Sequence, residues 1–348
     1  MYSMNSDSGE QNAGIYPTVS VVVPTLNRGA RLSRCLDSLV NQTYPKDRYN
    51  IIIVNDGSHD TTEDVLREYE KKATCGFIWI TQENRGIAGA TNTGIARSNA
   101  DVICFTGDDC IAESDWITNL IHGFTDDSVG AVGGRIESYK PLTSLQRYVE
   151  DSGILNQKRF MLHNKLLSGN AAYRRRILAD IHGFDNLLVA CVDADVSIKT
   201  QLLGYKLQYA PDAVVYHDHP DTLKGLWYRS CRNGKGLVQL HKKYGIHYNL
   251  AYNTTIFLFR IIRTVVLYPF TLASAVLSGK ERYVMIRPFF EIIRSGGLTL
   301  GIVRETLWGG EYKGDLIRPR VDFIEFLEDK PLFSLWEKVR KKITRSSY

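Results

Sequence analysis

The sequence predicts an α/β protein: a doubly wound, mostly parallel sheet flanked by helices, followed by a C-terminal helical extension that leans on a membrane. Three observations lead there. Short, largely β-branched runs recur between residues 19 and 105, separated by stretches with helical spacing of apolar residues. None of these runs has a polar face, as expected of strands buried on both sides of a parallel sheet. Polar clusters rich in Asn, Asp and Gly follow each run directly. Strand and helix in alternation mean βαβ crossovers into one open sheet, and ligands of such sheets sit beyond the carboxyl ends of the strands.

Val19-Ser20-Val21-Val22-Val23, stopped by Pro24, is the first strand. A helix over 30–40 follows, with Leu32, Cys35, Leu36 and Leu39 at helical spacing. Ile51 to Val54 is the second strand, ended by Asn55-Asp56-Gly57-Ser58, and Asp60-Thr61-Thr62 opens a helix over 63–71. A third strand lies at 77–80, a helix at 87–98 and a fourth strand at 102–105. The signal then weakens to a helix over 116–124, a strand over 129–136, a helix over 189–203 and a short strand over 206–216.

Composition shifts near Asn249. Residues 255–277 are mostly apolar but hold Arg260, Arg263 and Pro269. An arginine at the bilayer centre costs about 2.5 kcal/mol or more, which argues against a span. An interfacial helix with snorkelling arginines fits better, and a helical cap on the preceding domain is the plainer alternative. The tail at 338–342 is basic.

At 348 residues, 44% hydrophobic and 23% charged, the chain has the makeup of a globular protein. A net charge of +5 without a long Lys/Arg stripe excludes nucleic acid as the expected partner. Six scattered cysteines without a CxxC pair argue against a zinc site or disulfide framework and for a reducing compartment. The N-terminus lacks the basic and apolar regions of a signal peptide, so 1–16 is expected to be a disordered leader.

Gly107-Asp108-Asp109 places two adjacent carboxylates at the end of a buried strand, where they repel each other and resist desolvation. A hard divalent ion with a substrate diphosphate would relieve both, and a solvated acidic turn is the alternative. Asp56 suits a nucleobase edge or ribose hydroxyl, although Asn-Asp-Gly-Ser is also good turn chemistry. Asn84-Arg85-Gly86 carries the same ambiguity. Four such clusters after four successive strands make coincidence a poor account.

The ordered set 19–28, 35–43, 51–60, Asn-Arg-Gly at 84–86 with Asn92 and Gly94, and Phe-Thr-Gly-Asp-Asp-Cys at 105–110 with Trp116 resembles family 2 of the inverting, GT-A-fold glycosyltransferases. The resemblance covers about residues 17 to 240. It implies a GT-A domain over 17–245, with a nucleotide-binding half at 17–110 and an acceptor half at 111–245, and an extension over 246–348. Pro24, Thr25, Asn27, Arg28 and Asp56 would bind the nucleotide-sugar, with Asp56 facing the base. Asn84, Arg85, Gly86, Asn92 and Asp108 complete that set. Asp109, at the end of the DxD motif, would hold a divalent metal, Mn²⁺ or Mg²⁺, with His217. Gly107 departs from the motif's first Asp, and Thr91 from a frequent Arg.

Gly169 and Asn170, with Asp195, resemble the acceptor side. Asp193 matches the family's catalytic base, while Val192 replaces the usual Glu and Lys199 a frequent Arg. The basic, glycine-containing stretch from Trp227 to Gly236 would cover the diphosphate or the acceptor. A Gln-x-x-Arg-Trp motif is absent, which favours single transfer. The implied reaction moves a hexose-type sugar from a UDP-type donor to a hydroxyl of a glycan or lipid-linked acceptor, in the cytoplasm at the inner membrane face. Gly107 and Val192 keep open an inactive sugar-nucleotide-binding scaffold. A nucleotidyltransferase would want a Gly-rich loop after the first strand, where Pro24-Thr25-Leu26-Asn27 stands.

Overall fold

The computed structural model describes residues 16–140, 143–219, 222–246, 250–277 and 282–317. The expected leader, apart from Tyr16, and the basic tail lie outside these residues. The first half alternates as the sequence predicts: β1 (Val19–Thr25), α1 (Gly29–Val40), β2 (Tyr49–Asn55), α2 (Thr62–Lys72), β3 (Gly76–Thr81), α3 (Gly86–Arg97) and β4 (Val102–Thr106). The second half adds β5 (Cys110–Ala112), α4 (Trp116–His122), β6 (Val129–Ser138), α5 (Ser144–Asp151), α6 (Gln157–Leu162), β7 (Asn170–Arg174), α7 (Arg175–Asp180), α8 (Val192–Leu202) and β8 (Lys206–His217). Three helices close the described chain: α9 (Leu223–Lys243), α10 (Leu250–Leu277) and α11 (Arg282–Trp308).

All eight strands form one sheet in the order β3-β2-β1-β4-β7-β6-β8-β5. The β3-β2-β1-β4 half is wholly parallel. β7 then runs antiparallel to β4 and β6, β8 is parallel to β6, and β5 is antiparallel to β8. One core packs α1, α2 and α4 against the sheet, and a second, around Val22, Phe105 and Phe184, fills the other face.

The strand order reverses between β1 and β4, and there the sheet opens. The β1–β2 ladder continues to Thr25↔Asn55, but the β1–β4 ladder stops at Val22↔Phe105. Pro24, which has no N–H to contribute, stands past that last pair. Such a switch point is where doubly wound sheets hold ligands.

Sequence reading missed β5, β7, α5, α6 and α7, and it began the helix now seen as α8 three residues early. Cys191 has φ of 61° and breaks the helical path, so α8 starts at Val192. The β6–β8 register shifts between Gly134 and Arg135. Asn170 repairs that break: its amide donates to the carbonyls of Arg135 and Ala213 at 2.8 Å each, and its Oδ1 accepts from Trp116 Nε1 at 2.8 Å.

The described part of the extension, 250–277 and 282–317, packs on the preceding domain. α11 lies along α9, with Gly301 so close to the Cys231 carbonyl, and Gly234 to that of Leu298, that a Cβ at either would collide. α10 packs on α11 and exposes Leu258, Phe259, Ile262, Val265, Val266 and Phe270. Among the described residues no helix is long and apolar enough to cross a membrane.

Because Asn170 is fully buried and bonds groups from α4, β6 and β8, Asn170→Ala should destabilise the fold by about 3 kcal/mol. Urea denaturation would measure the loss.

Candidate functional site

A cavity of about 860 Å³ opens at the carboxyl end of the parallel strands. Its floor is the acidic pair. The Thr25 hydroxyl donates to Asp108 at 2.8 Å, a buried bond that spans the gap between β1 and β4. Arg28, at the start of α1, donates from one nitrogen to Asp108 at 2.9 Å and to Asp109 at 2.7 Å. Burial disfavours the Arg28 charge, but the two carboxylates outweigh it and raise its pKa.

The two carboxylates diverge electrostatically. Burial pushes the Asp108 carboxyl up against the pull of Arg28, and neighbouring Asp109 adds to the rise. Burial acts on Asp109 too, yet His217, Arg28 and Arg229 hold it below the usual carboxylate range. His217 stands opposite Cys110 in the β5–β8 ladder, and its Nε2 is 3.4 Å from Asp109 Oδ1. Burial lowers the His217 pKa, and its Nδ1 is buried without a hydrogen-bond partner. Arg229 and Arg232 of α9 also line the cavity.

Asp56 is buried at the end of β2, where its Oδ1 accepts from Gln82 Nε2 at 2.7 Å and from the Arg85 backbone at 2.9 Å. Pro24, Thr25, Arg28, Asp56, Asn84 and Gly86 all face the cavity. Gly86 has φ of +72° and would leave a Cβ in open space, so its need is conformational.

Three residues expected in the nucleotide site do not line it. Asn27, itself at φ 54°, accepts from the His59 N–H at its Oδ1 and donates from its own backbone N–H to Ser58 Oγ, which staples two loops. Asn92 exchanges bonds with the Phe184 backbone and reaches Asn186. Arg85 contributes its backbone to Asp56. They fix the loops that carry the lining residues.

On the other side, Gly169 and Asp193 line the cavity. Asp193 is half-buried in the first turn of α8, and its Oδ1 has no hydrogen-bond partner. Burial raises its pKa, with Ser168 and Arg232 pulling the other way. Val192 is buried in the core rather than aimed at a ligand. Asp195 and Asn170, expected on the acceptor side, are both fully buried outside the cavity. Asp195 receives Tyr244 at 2.9 Å and pairs with Lys243 at 2.7 Å and Lys199 at 3.2 Å. Lys199, in the place of the family's Arg, also donates to the Gly183 carbonyl at 2.7 Å. Cys110 and Ser168 stand inside motifs of the resemblance but carry no expected role there, because their neighbours come from distant strands and loops.

A parallel half whose strand ends carry an acidic pair, faced across one cavity by Asp193 with its unpartnered Oδ1, is the layout of a sugar transferase of the GT-A type. Residues 20–182 match the model of glycosyl transferase family 2. Glycosyltransferase AglE of Haloferax volcanii is 29% identical over 227 residues, covering 64% of this chain and 74% of that protein. Probable glycosyltransferase YdaM of Bacillus subtilis is 31% identical over 248 residues, covering 68% of this chain and 59% of YdaM. In fold, mannosyltransferase PcManGT from Pyrobaculum calidifontis, solved with GDP-Man and Mn²⁺, superposes with a TM-score of 0.58 at 19% identity. That match covers 85% of this chain and 88% of PcManGT. The match over 20–182 and these relatives support a family 2 glycosyltransferase.

The ion-paired Asp195 anchors α8, which presents Asp193. Lys243→Met should cost about 3 kcal/mol, the usual price of stripping one partner from a buried charge, read as a lowered denaturation midpoint.

Proposed function

We propose that this enzyme transfers a hexose-type sugar from a nucleoside diphosphate-sugar to a hydroxyl of a glycan or lipid-linked acceptor, with inversion and with Asp193 as the base. One observation carries the reading: the buried, unpaired Oδ1 of Asp193 lines the same cavity as Asp108, Asp109 and His217. Inversion needs a single base to take the acceptor proton as the hydroxyl attacks the anomeric carbon from the far face. Asp195, two residues on, is ion-paired and enclosed, so it supplies no second carboxylate for a covalent intermediate.

The opposite end receives the donor. Asp56 meets the base, and Asn84 and Gly86 lie along the ribose and diphosphate. Arg28, Arg229 and Arg232 take up phosphate charge. Uridine is the base most common in the family and is the one we assign. The donor set fits a divalent ion, Mn²⁺ or Mg²⁺: Asp109 and His217 would hold it, and the unpartnered His217 Nδ1 beside the Asp109 carboxylate supports that reading. Bound there, such an ion would stabilise the negative charge of the departing diphosphate. Imidazole suits Mn²⁺ better than Mg²⁺.

The exposed apolar stripe of α10 supports peripheral contact with a membrane, at its cytoplasmic face. Arg263 is exposed beside it, as an interfacial helix needs, whereas Arg260 is half-buried near Glu291. Pro24-Thr25-Leu26-Asn27 lines or braces the cavity without forming the Gly-rich phosphate loop of a nucleotidyltransferase.

Thermal shifts with UDP-, GDP- and dTDP-sugars, each with Mn²⁺ or EDTA, should show stabilisation by the UDP-sugar that depends on Mn²⁺. No shift with any donor would sink the assignment, whereas a shift without turnover on any acceptor would favour an inactive sugar-nucleotide-binding scaffold. Asp193→Asn should lower kcat by roughly 10²- to 10⁴-fold and leave donor binding nearly intact. Because burial raises the Asp193 pKa and only the ionised form accepts a proton, transfer should fall with falling pH. Its midpoint should lie above the ordinary carboxyl value of about 4. A wild-type pH profile in Asp193→Asn would place the base elsewhere.

A further inference from the structure

Gly107 stands where the family motif has an aspartate, and the space it leaves is put to use. A Cβ at Gly107 would come within 2.6 Å of Asp109 Oδ1 and 3.4 Å of Cys110 Sγ. The bare α-carbon therefore lets the carboxylate and the thiol approach each other over it, at 3.8 Å. Sheet register supplies the third group. Cys110 and His217 are direct partners in the antiparallel β5–β8 pair, which sets their side chains next to each other on one face. Ligand atoms of Asp109, Cys110 and His217 all lie within 4.8 Å of one another, a spacing that one ion can bridge. His217 is more than nine-tenths buried, lines the cavity, and has an unpartnered Nδ1.

Cys35 is the instructive contrast. It too is buried beneath the Gly107 turn, and its thiol donates to the Gly107 carbonyl. It does not line the cavity, whereas Cys110 does. Cys35 behaves as a small core residue; Cys110 belongs to the core and to the cavity wall at once.

We propose that Cys110 Sγ is a third protein ligand of the cation site, so that the site prefers borderline-soft ions such as Co²⁺, Zn²⁺ or Cd²⁺ over Mg²⁺ and Mn²⁺. This rests on the cation-site reading above and changes its ion preference, leaving Mn²⁺ as a weaker occupant of the same site. Carboxylate oxygen alone suits hard ions, imidazole nitrogen suits the first-row transition metals, and thiolate sulfur moves the preference further toward the soft end. On binding, the sulfur–metal bond forms as the thiol proton leaves to solvent, with no change of oxidation state. The missing aspartate removes one hard oxygen donor, and the cysteine supplies a soft one.

The test titrates the metal-depleted full chain with Co²⁺, following heat by calorimetry and the sulfur-to-cobalt charge-transfer absorption in the near ultraviolet. The band should appear in the native chain and in Cys35→Ala, and vanish in Cys110→Ser. Co²⁺ affinity should fall roughly tenfold or more in Cys110→Ser while Mn²⁺ affinity changes little. Cadmium NMR of the native chain, in which a sulfur ligand moves the resonance far downfield, tests the same bond without any substitution. Co²⁺ binding without a sulfur band would overturn the Cys110 assignment and leave the Asp109–His217 site standing. A band that persists in Cys110→Ser would also overturn it and point to Cys191, which lines the same cavity. Failure of both Co²⁺ and Mn²⁺ to bind would remove the cation site altogether.

Discussion

Two adjacent carboxylates at the end of a strand buried along its whole length must be matched by positive charge or by donors, since an isolated buried carboxylate is far too costly to keep ionised. Here the match is assembled from segments distant in sequence. Thr25 and Arg28 come from the turn after β1, His217 from the last residue of β8, and Arg229 from α9. β5 leaves the acidic pair directly and runs back along β8, so the same turn sets the far edge of the sheet. The parallel and antiparallel halves thus meet at one electrostatic node, and the cavity is the space around it.

How far the fold could be read from sequence depended on how strands are buried. β1, β2 and β4 are enclosed on both faces by helices, so each is a continuous apolar run that needs no partner to be recognised. β7 is nearly as buried but consists of Asn170-Ala171-Ala172-Tyr173-Arg174, with two alanines at its centre beside β4 and β6 and no β-branched residue. Its propensity is that of a helix or loop as much as a strand, and only pairing settles it. β5 is three residues long and has no periodicity to read. The stretch at 227–236, basic and glycine-containing, is the inside of a helix, because its glycines serve close packing against Ala190 and α11.

The candidate site was legible in a similar, partial way. Pro24, Thr25, Arg28, Asp56, Asn84, Gly86, Asp108, Asp109, Gly169, Asp193 and His217 come together in one cavity. Asn27, Arg85, Asn92, Asn170 and Asp195 carry the same family signature but act on the frame. The difference is physical. A side chain that clamps a turn, as Asn92 clamps the Phe184 backbone, is as restricted in type as one that meets a ligand. A motif therefore marks both without separating them. Cys110 was invisible for another reason: its significance arises from β5–β8 register and from what Gly107 lacks.

The helical extension changes the acceptor argument. α10, with its exposed apolar stripe, packs on α11, and α11 lies backbone-close along α9, which carries Arg229 and Arg232 into the cavity. Leu298 of α11 is itself a lining residue, with Ile154, Leu155 and Phe160 from the α5–α6 region. Helices in contact stand about 8–10 Å apart, so one helix layer separates α10 from the α9 helix that lines the cavity. On the proposed reading, an acceptor that keeps an apolar anchor in a membrane while its hydroxyl reaches Asp193 suits that layout better than a free glycan does. A glycan can lay only its C–H faces on the apolar wall, whereas a lipid-bearing acceptor would bury more apolar surface there, at about 25 cal/mol per Å². The same helices that join the extension to the catalytic body thereby give the apolar part of the cavity a reason to exist.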